Sequence, residues 1–393
     1  MLEYRDDLFE DEETASETDE NSEPNLGDFD GLLVAPSDWT ISSLYGLIGK
    51  QIDLDPSFQR RSVWAEMSQS SLIESLFLNI PVPQILLASK RKDKNSFIVI
   101  DGKQRLTAIK EFMDGKRHNG KVFRLKGMRV LKQLEGKTWN EIEEEPETAN
   151  LFKNATQRSI VLRGWEHDET LYEIFYRLNS GSVKLSPMEL RMSLYPGQFI
   201  KHIITWTESS EALKKLLNLK NPDKRMADVE LTIRHIAFSN QNAIYQGDLK
   251  KFLDETCSTY NEKISRDENF LHKVNTTLEK METAINIAIN IFGTNVCKKW
   301  DAHEQRYETR FNRAVFDIIV GSLTNQQVLD WAHQNKREFE KLFIETSNAD
   351  REFVAAFETS TKNTKIVRKR FETWYNKVNE ISGSELVIPQ LRN

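Results

Sequence analysis

The residues with the clearest chemical potential lie in one short run, Phe97–Thr107, which reads Phe-Ile-Val-Ile-Asp-Gly-Lys-Gln-Arg-Leu-Thr. Its apolar part predicts a buried strand, and Asp101 with Gly102 predicts a turn that leads directly into a helix. The first turn of a helix has unpaired backbone N–H groups and the positive end of the dipole, so it favours a phosphate or another anion. The run therefore predicts an anion site that suits a nucleotide.

The side chains of this turn suit a nucleoside triphosphate together with Mg²⁺. Lys103 and Arg105 add positive charge, and an arginine can grip two phosphate oxygens through parallel N–H bonds. Gly102 lets the backbone approach an anion without a Cβ clash, and Asp101 offers the carboxylate oxygen that Mg²⁺ prefers. In a simpler structural alternative, Asp101 only caps the helix and Arg105 pairs with a neighbouring carboxylate. The short motif alone favours that alternative, because such motifs often occur by chance.

A second candidate binding region is a run of cations that contains no carboxylate and includes one aromatic residue, Phe123. Its cations are Lys116, Arg117, Lys121, Arg124, Lys126, Arg129 and Lys132. Such a patch can contact nucleic-acid phosphates in a salt-dependent way, so DNA is the predicted partner. A solvated surface is an equally good interpretation. A second basic group either extends this surface or forms the exposed side of the last helix: Lys362, Lys365, Arg368, Lys369 and Arg370.

The charge is distributed unevenly along the 393 residues, although the whole chain has a net charge of only −6. Residues 1–30 contain thirteen carboxylates against one arginine, and few large apolar side chains. That composition predicts a disordered acidic tail. The remaining chain has 53 basic and 47 acidic side chains, a mildly basic balance that is compatible with a polyanionic partner.

Several classes of protein are excluded by composition. Two cysteines, Cys257 and Cys297, are too few for a disulfide scaffold. The acidic N-terminus lacks a secretory apolar segment, and no apolar run approaches the ~20 residues of a spanning helix, so we expect a cytoplasmic protein without a membrane role. The seven histidines are scattered, and neither CxxC nor HExxH occurs. We therefore expect no zinc centre and no HNH-type nuclease in this chain.

Periodicity predicts an α+β fold in two parts. Strands are expected at Gln51–Leu54, Gln84–Ala88, Ser96–Ile100, Val122–Leu125 and Ser159–Leu162, with helices between them. Beyond residue 168 the pattern is almost wholly helical, and Ser186-Pro-Met-Glu189 predicts a helix start with a capping box. The predicted organisation is an acidic tail over residues 1–30, a mixed α/β nucleotide-binding domain over 31–185 and an all-helical domain over 186–393.

Five sequence blocks together resemble a known family. They are Phe58-Gln-Arg60 with Trp64, the stretch Ile73–Pro83, Asp101-Gly-Lys-Gln-Arg105 with Leu-Thr107, Phe175–Gly181 and Leu185–Arg191. In this order they resemble the prokaryotic ParB-like proteins catalogued as domain of unknown function 262, whose hallmark is a DGQQR motif. That family includes the N-terminal parts of the GmrSD and SspE DNA-defence proteins. Lys103 stands where the family has a glutamine, a difference that affects either nucleotide binding or hydrolysis.

The resemblance implies a ParB/sulfiredoxin-like N-terminal domain that binds a nucleoside triphosphate with Mg²⁺ and hydrolyses it during defence against foreign DNA. It assigns catalysis to Asp101, Gln104 and Arg105, with Asp101 also as the metal ligand. The implied nucleotide-binding residues are Gln59, Arg60, Gly102, Lys103, Thr107 and Asn179. The helical domain would then sense DNA or a partner such as a separately encoded nuclease, and the protein could form oligomers. The alternative is a non-catalytic ParB-like module that binds DNA or another protein.

Overall fold

The computed structural model describes residues 26–52, 54, 64–91, 93–178, 186–223, 225–358 and 363–392. Three predicted site residues, Gln59, Arg60 and Asn179, lie outside these ranges, as does most of the predicted acidic tail. The chain forms two compact units, which meet in sequence between Leu194 and Tyr195. The structure thus assigns the helix at Pro187–Leu194 to the first unit, whereas the predicted domain boundary precedes that helix.

A four-stranded sheet forms the centre of the first unit. The strands of this unit are β1 (Leu33–Pro36), β2 (Trp39–Thr40), β3 (Ile85–Ser89), β4 (Phe97–Asp101), β5 (Thr156–Gln157) and β6 (Ser159–Arg163). The main sheet has the order β1-β6-β3-β4, and β2 pairs separately with β5. Strands β3 and β4 are antiparallel, as the predicted hairpin requires, whereas β3 and β6 are parallel. The mixed α/β prediction for this part of the chain is confirmed.

Helices cover both faces of this sheet. They are α1 (Ile41–Leu47), α2 (Glu66–Phe77), α3 (Lys103–Met113), α4 (Trp139–Glu143), α5 (Pro146–Asn154), α6 (Asp168–Leu178) and α7 (Pro187–Leu194). Alternate strand residues face opposite sides. Leu87 and Val99 therefore join the core formed with α1 to α5, while Leu86 and Ile98 join the core formed with α6 and α7. Burial on both faces explains why these strands are continuous apolar runs.

The predicted strand at Val122–Leu125 is wrong. Phe123 and Leu125 are buried, so the alternating pattern does report which side chains face inward. However, their backbone N–H groups bond to the carbonyls of Gly115 and Lys137, at 3.0 Å each, instead of to a neighbouring strand. The described residues of the predicted strand at Gln51–Leu54 form no strand either, since Ile52 makes only isolated bridges; Asp53 lies outside the described residues.

The second unit is helical, as predicted. Its helices are α8 (Gln198–Ser209), α9 (Glu211–Leu216), α10 (Ala227–Ser239), α11 (Leu249–Arg266), α12 (Phe270–Phe292), α13 (Arg313–Leu323), α14 (Gln326–Gln334), α15 (Lys336–Ala349), α16 (Arg351–Ala355) and α17 (Thr364–Ser382). It also contains short strands that periodicity did not predict: β7 (Ile244–Tyr245), β8 (Lys298–Asp301), β9 (Arg306–Phe311) and β10 (Gln390–Leu391). Strands β8 and β9 form an antiparallel hairpin, and β7 pairs in parallel with β10. Across the described ranges, no helix combines the length and the apolar character needed to cross a membrane.

Candidate functional site

The candidate site begins at the turn between β4 and α3. Asp101 is the last residue of β4 and pairs with Leu86 near the start of β3. Gly102 occupies the N-cap position, and no side chain caps the helix there. The predicted passage from strand through a glycine turn into a helix is therefore present, whereas the predicted capping role of Asp101 is not.

An ion pair connects the two ends of this turn. Arg105 Nη2 lies 2.8 Å from Asp101 Oδ2 and 3.2 Å from the carbonyl oxygen of Gln84. The side chain of Arg105 is 12% exposed and that of Asp101 is 42% exposed. Among the described residues, the buried Nε of Arg105 has no hydrogen-bond partner, and no bond is made by its Nη1. Only one nitrogen of the guanidinium is therefore satisfied by the part of the protein that the structure describes.

Gly102 is required by the packing of the turn itself. Its φ of +95° is one that residues with a side chain rarely adopt. A Cβ atom at this position would lie 2.8 Å from Ile85 Cγ1, so the turn packs directly on the first residue of β3. The glycine is thus explained without a ligand, and its presence alone does not indicate a phosphate.

Gln104 connects this turn to a second block of the sequence. The backbone N–H of Trp64 donates to Gln104 Oε1 at 3.1 Å. Trp64 directly follows the segment 55–63, which contains Gln59 and Arg60 and lies outside the described residues. The contact places Trp64 against the first turn of α3, although the two residues are 40 positions apart in sequence.

The remaining predicted nucleotide-binding residues differ in accessibility. Lys103 is partly exposed at the first position of α3. Thr107 is only 3% exposed, so its hydroxyl lies inside the unit, and its predicted contact with a nucleotide is corrected to a position in the interior. Two arginines of the family-like blocks, Arg177 and Arg191, also differ in exposure. Arg177 is exposed beside Glu173, at 2.5 Å, whereas Arg191 is 1% exposed.

Asp101 suits a metal ion that is bound mainly by nucleotide phosphates and water and only in part by the protein. Within the described residues, no three His, Cys, Asp or Glu side chains come together as a metal site. Mg²⁺ commonly takes one or two protein carboxylates and completes its shell with phosphate oxygens and water. One oxygen of Asp101 is bonded to Arg105, and its half-exposed side chain leaves the other accessible. The residues present therefore suit a magnesium–phosphate complex and do not form an all-protein metal cage.

Residues 41–196 match the model of one protein family, described as GmrSD restriction endonuclease, N-terminal domain. These residues belong to that family. The match includes the turn at Asp101, the cation run and the capping box at Ser186, so the chain carries a domain of restriction-type DNA-defence proteins. No curated protein and no solved structure matches the chain.

The cation run of the GmrSD-family domain divides into one interior residue and an exposed set. The side chain of Arg117 is 4% exposed, lies over the Phe123 ring at 3.9 Å and donates to Gln69 Oε1. Arg117 is therefore part of the interior, and the prediction that it contacts a nucleic acid is corrected. The other predicted cations are exposed: Lys116, Lys121, Arg124, Lys126, Arg129 and Lys132. Two of them pair with carboxylates, Arg124 with Glu141 at 3.4 Å and Lys126 with Glu66.

The described residues of the second basic group lie on α17 of the helical unit. Arg370 is 1% exposed and pairs with Asp317 at 3.1 Å. Lys369 pairs with Asp350 at 2.9 Å, and Arg368 donates to the carbonyl oxygen of Leu391 at 2.6 Å. Lys362 lies outside the described residues. Arg370 is therefore an interior residue, whereas Lys365 and Arg368 lie on the exposed side of α17, which is one of the two predicted alternatives.

Two carboxylates of the GmrSD-family domain, Glu74 and Glu135, were missed by the sequence reasoning. Both accept hydrogen bonds from the backbone of the cation run, Glu74 from three consecutive residues. Glu74 is 6% exposed and lies between Ile73 and Leu76 on α2. A buried carboxylate in an apolar helix needs partners, so an acidic residue inside this apolar stretch was the available signal.

Proposed function

We propose that the GmrSD-family domain binds a nucleoside triphosphate with Mg²⁺ at the turn between β4 and α3 and hydrolyses it, as part of a prokaryotic restriction-like defence against DNA. The observation that carries this proposal is the pair of Arg105 and Asp101 at the N-terminus of α3, in which the guanidinium retains unused donors. Gln104 adds to it by holding Trp64, a residue of another family-like block, at the same turn.

The residue types match what phosphoryl transfer requires. This reaction depends on positioning and charge neutralisation more than on a covalent nucleophile. In the proposed complex, Arg105 Nη1 and the helix N-terminus would bind phosphate oxygens. Asp101 would hold Mg²⁺, which would supply positive charge to offset that of the phosphates. Gln104 accepts the N–H of Trp64 and so fixes that residue at the turn. Lys103 adds a cation at the position where the family motif has a glutamine.

Nucleotide binding is tested by titrating the purified full chain with ATP, GTP, CTP and UTP in Mg²⁺ and measuring the heat of binding. Arg105→Ala should weaken binding at least tenfold, because hydrogen bonds to charged groups contribute about 1.5–3 kcal/mol. Lys110→Ala is the matched control, since Lys110 lies on the same helix and also pairs with an aspartate four residues away, Asp114. Equal affinity of the Arg105 variant and the wild type would refute the proposed site.

Hydrolysis is tested separately by phosphate release over many turnovers. We expect turnover that requires Mg²⁺ and is lost in Asp101→Asn. Binding without turnover would make the domain a nucleotide-gated switch. No binding of any nucleotide would favour the alternative function, a non-catalytic module that binds DNA or a partner such as a nuclease.

We also propose that the same domain contacts DNA phosphates through its exposed cations. Four of them, Lys116, Lys121, Arg129 and Lys132, form no ion pair with a described residue. The double variant Lys121→Gln with Arg129→Gln loses two positive charges and should therefore bind a DNA duplex more weakly. The slope of log affinity against log salt should flatten by about 0.9 for each lost contact. An unchanged slope would assign these cations to solvent.

A further inference from the structure

Hydrogen bonds from its own backbone N–H groups hold one segment of the cation run beside helix α2. Two carboxylates accept the N–H groups of five consecutive residues. Glu135 accepts from Gly127 at 3.0 Å and Met128 at 2.7 Å, and Glu74 accepts from Arg129 at 3.0 Å, Val130 at 2.8 Å and Leu131 at 2.9 Å. The N–H of the preceding residue, Lys126, donates to Ser70 Oγ at 3.0 Å. We call residues 126–131 the anchored loop.

Both carboxylates are charged at neutral pH. Burial raises the pKa of Glu74, but the three backbone hydrogen bonds and the nearby Lys132 outweigh it, so the net pKa lies below its usual value. The backbone hydrogen bonds from Gly127 and Met128 lower the pKa of Glu135. Hydrogen bonds to an ionised acceptor are stronger than those between neutral groups. They therefore hold an irregular backbone that has neither helix nor strand partners.

The anchored loop directs its backbone donors inward and its cationic side chains outward. Lys126 and Arg129 are exposed, and Val130 between the anchoring bonds is 63% exposed. On one side, Met67 on the first turn of α2 packs beside Gly127, where a Cβ would lie 3.1 Å from Met67 Cε. The loop thus lies along α2 from its first turn to the turn that contains Glu74.

We infer that Glu74 and Glu135 are positioning residues that keep the anchored loop in a preformed, DNA-binding shape. The inference rests on the proposed contact between the cation run and DNA. Holding a loop in its bound conformation reduces the ordering cost of binding. Electrostatics alone gives the opposite expectation, because each carboxylate repels phosphate. The two effects of Glu74 on DNA affinity therefore have opposite signs, and one substitution separates them.

The test compares two variants that remove the same charge from the same helix. Glu74→Gln keeps the shape of the side chain but weakens the acceptor for three backbone N–H groups. Glu66→Gln is the matched control, because Glu66 contacts the side chains of Lys126 and Arg117 and accepts no backbone hydrogen bond from the anchored loop. Affinity is measured for the full chain by fluorescence anisotropy with a labelled 30-base-pair duplex over a range of salt concentrations.

We expect the two variants to shift affinity in opposite directions. Glu66→Gln should tighten binding two- to threefold, because it frees Lys126 and removes a negative charge. Glu74→Gln should weaken binding about tenfold although it removes the same charge. Glu135→Gln should weaken binding less, since Glu135 accepts only two N–H groups and lies at the surface. Amide hydrogen exchange at residues 129–131 should accelerate in Glu74→Gln and stay unchanged in Glu66→Gln.

The possible outcomes distinguish the inference from the function on which it rests. If the wild type binds DNA and Glu74→Gln binds as tightly or more tightly, the positioning role is refuted while the DNA contact stands. If the wild type does not bind the duplex, the DNA contact itself is refuted and the inference with it. Thermal unfolding and nucleotide titration report whether each variant is folded. Should Glu74→Gln unfold, the Glu135→Gln result decides in the same way.

Discussion

The two units contain arginine–aspartate clusters that differ in how many guanidinium bonds the aspartate accepts and in how exposed it is. In the helical unit, Asp317 accepts from Arg234 Nε at 2.8 Å, from Arg234 Nη2 at 2.7 Å and from Arg370 Nη2 at 3.1 Å. Its side chain is 0% exposed. In the GmrSD-family domain, Asp101 pairs with Arg105 through one oxygen and is 42% exposed.

The difference separates a structural role from a binding role. A buried carboxylate that already accepts three guanidinium bonds holds α10, α13 and α17 together. A half-exposed carboxylate beside a guanidinium with unused donors can rearrange around phosphate and Mg²⁺. Residue types are the same in both clusters. The number of bonds and the exposure decide the role, and neither quantity can be obtained from sequence spacing.

The largest expected effect on stability is at the buried cluster around Asp317. Asp317→Ala leaves Arg234 and Arg370 buried without their shared carboxylate, which should lower the free energy of unfolding by about 3–5 kcal/mol. Urea denaturation of the full chain, followed by circular dichroism, measures the change. Nucleotide affinity at the other unit should be unaffected under conditions in which the variant is folded. A loss below about 1 kcal/mol would show that the comparison between the clusters is wrong.

The next largest effect is a pH dependence of stability, which comes from a histidine near the same aspartate. Burial lowers the pKa of His235 from 6.5 to about 4, although Asp317 raises it. The unfolded state therefore binds a proton more readily between these values, so stability should fall as the pH is lowered from 6.5 to about 4 and level off below. The change is at most about 3 kcal/mol. His235→Gln cannot titrate and should remove this part of the dependence in denaturation curves; an unchanged profile would assign the titration to other groups.

A smaller effect tests the geometry of the open cluster. Gly102→Ala places a side chain at a φ of +95° and against Ile85, which should destabilise the protein by about 1–3 kcal/mol. Gly120→Ala is the control, since its φ of +78° is also positive but no atom lies within 4 Å of its Cβ position. The excess loss at Gly102, read from thermal unfolding, measures the contact with β3. Equal losses of stability at the two glycines would show that the contact with Ile85 has no measurable cost.

Local patterns predicted those parts of the fold that local interactions determine. The strands near Ile85–Ser89 and Phe97–Asp101 were found because both are apolar runs between turn residues. The capping box was found because its two hydrogen bonds join residues three positions apart: Ser186 N–H donates to Glu189 at 2.7 Å, and Glu189 N–H donates to Ser186 at 3.2 Å. The division into a mixed α/β part and a helical part follows from the same periodicities.

Tertiary contacts decided the rest. Arg117 has the sequence surroundings of an exposed cation, but Gln69 and Phe123 enclose it. Val122–Leu125 alternates like a strand but has no partner strand. Glu74 bonds to a backbone segment more than fifty residues away in sequence. At the candidate site, the order of residues in the motif was predictable, while the unused donors of Arg105 depend on which neighbours reach it.

The smallest effect on stability should come from the open cluster itself. Arg105→Ala removes one ion pair whose aspartate is half-exposed, so the free energy of unfolding should change by less than about 1 kcal/mol. The same variant should lose at least tenfold in nucleotide affinity, so the two measurements separate binding from structure. Should Arg105→Ala instead destabilise the protein as strongly as Asp317→Ala, the arginine would be a structural residue like Arg234. The turn between β4 and α3 would then have no spare donor for a phosphate.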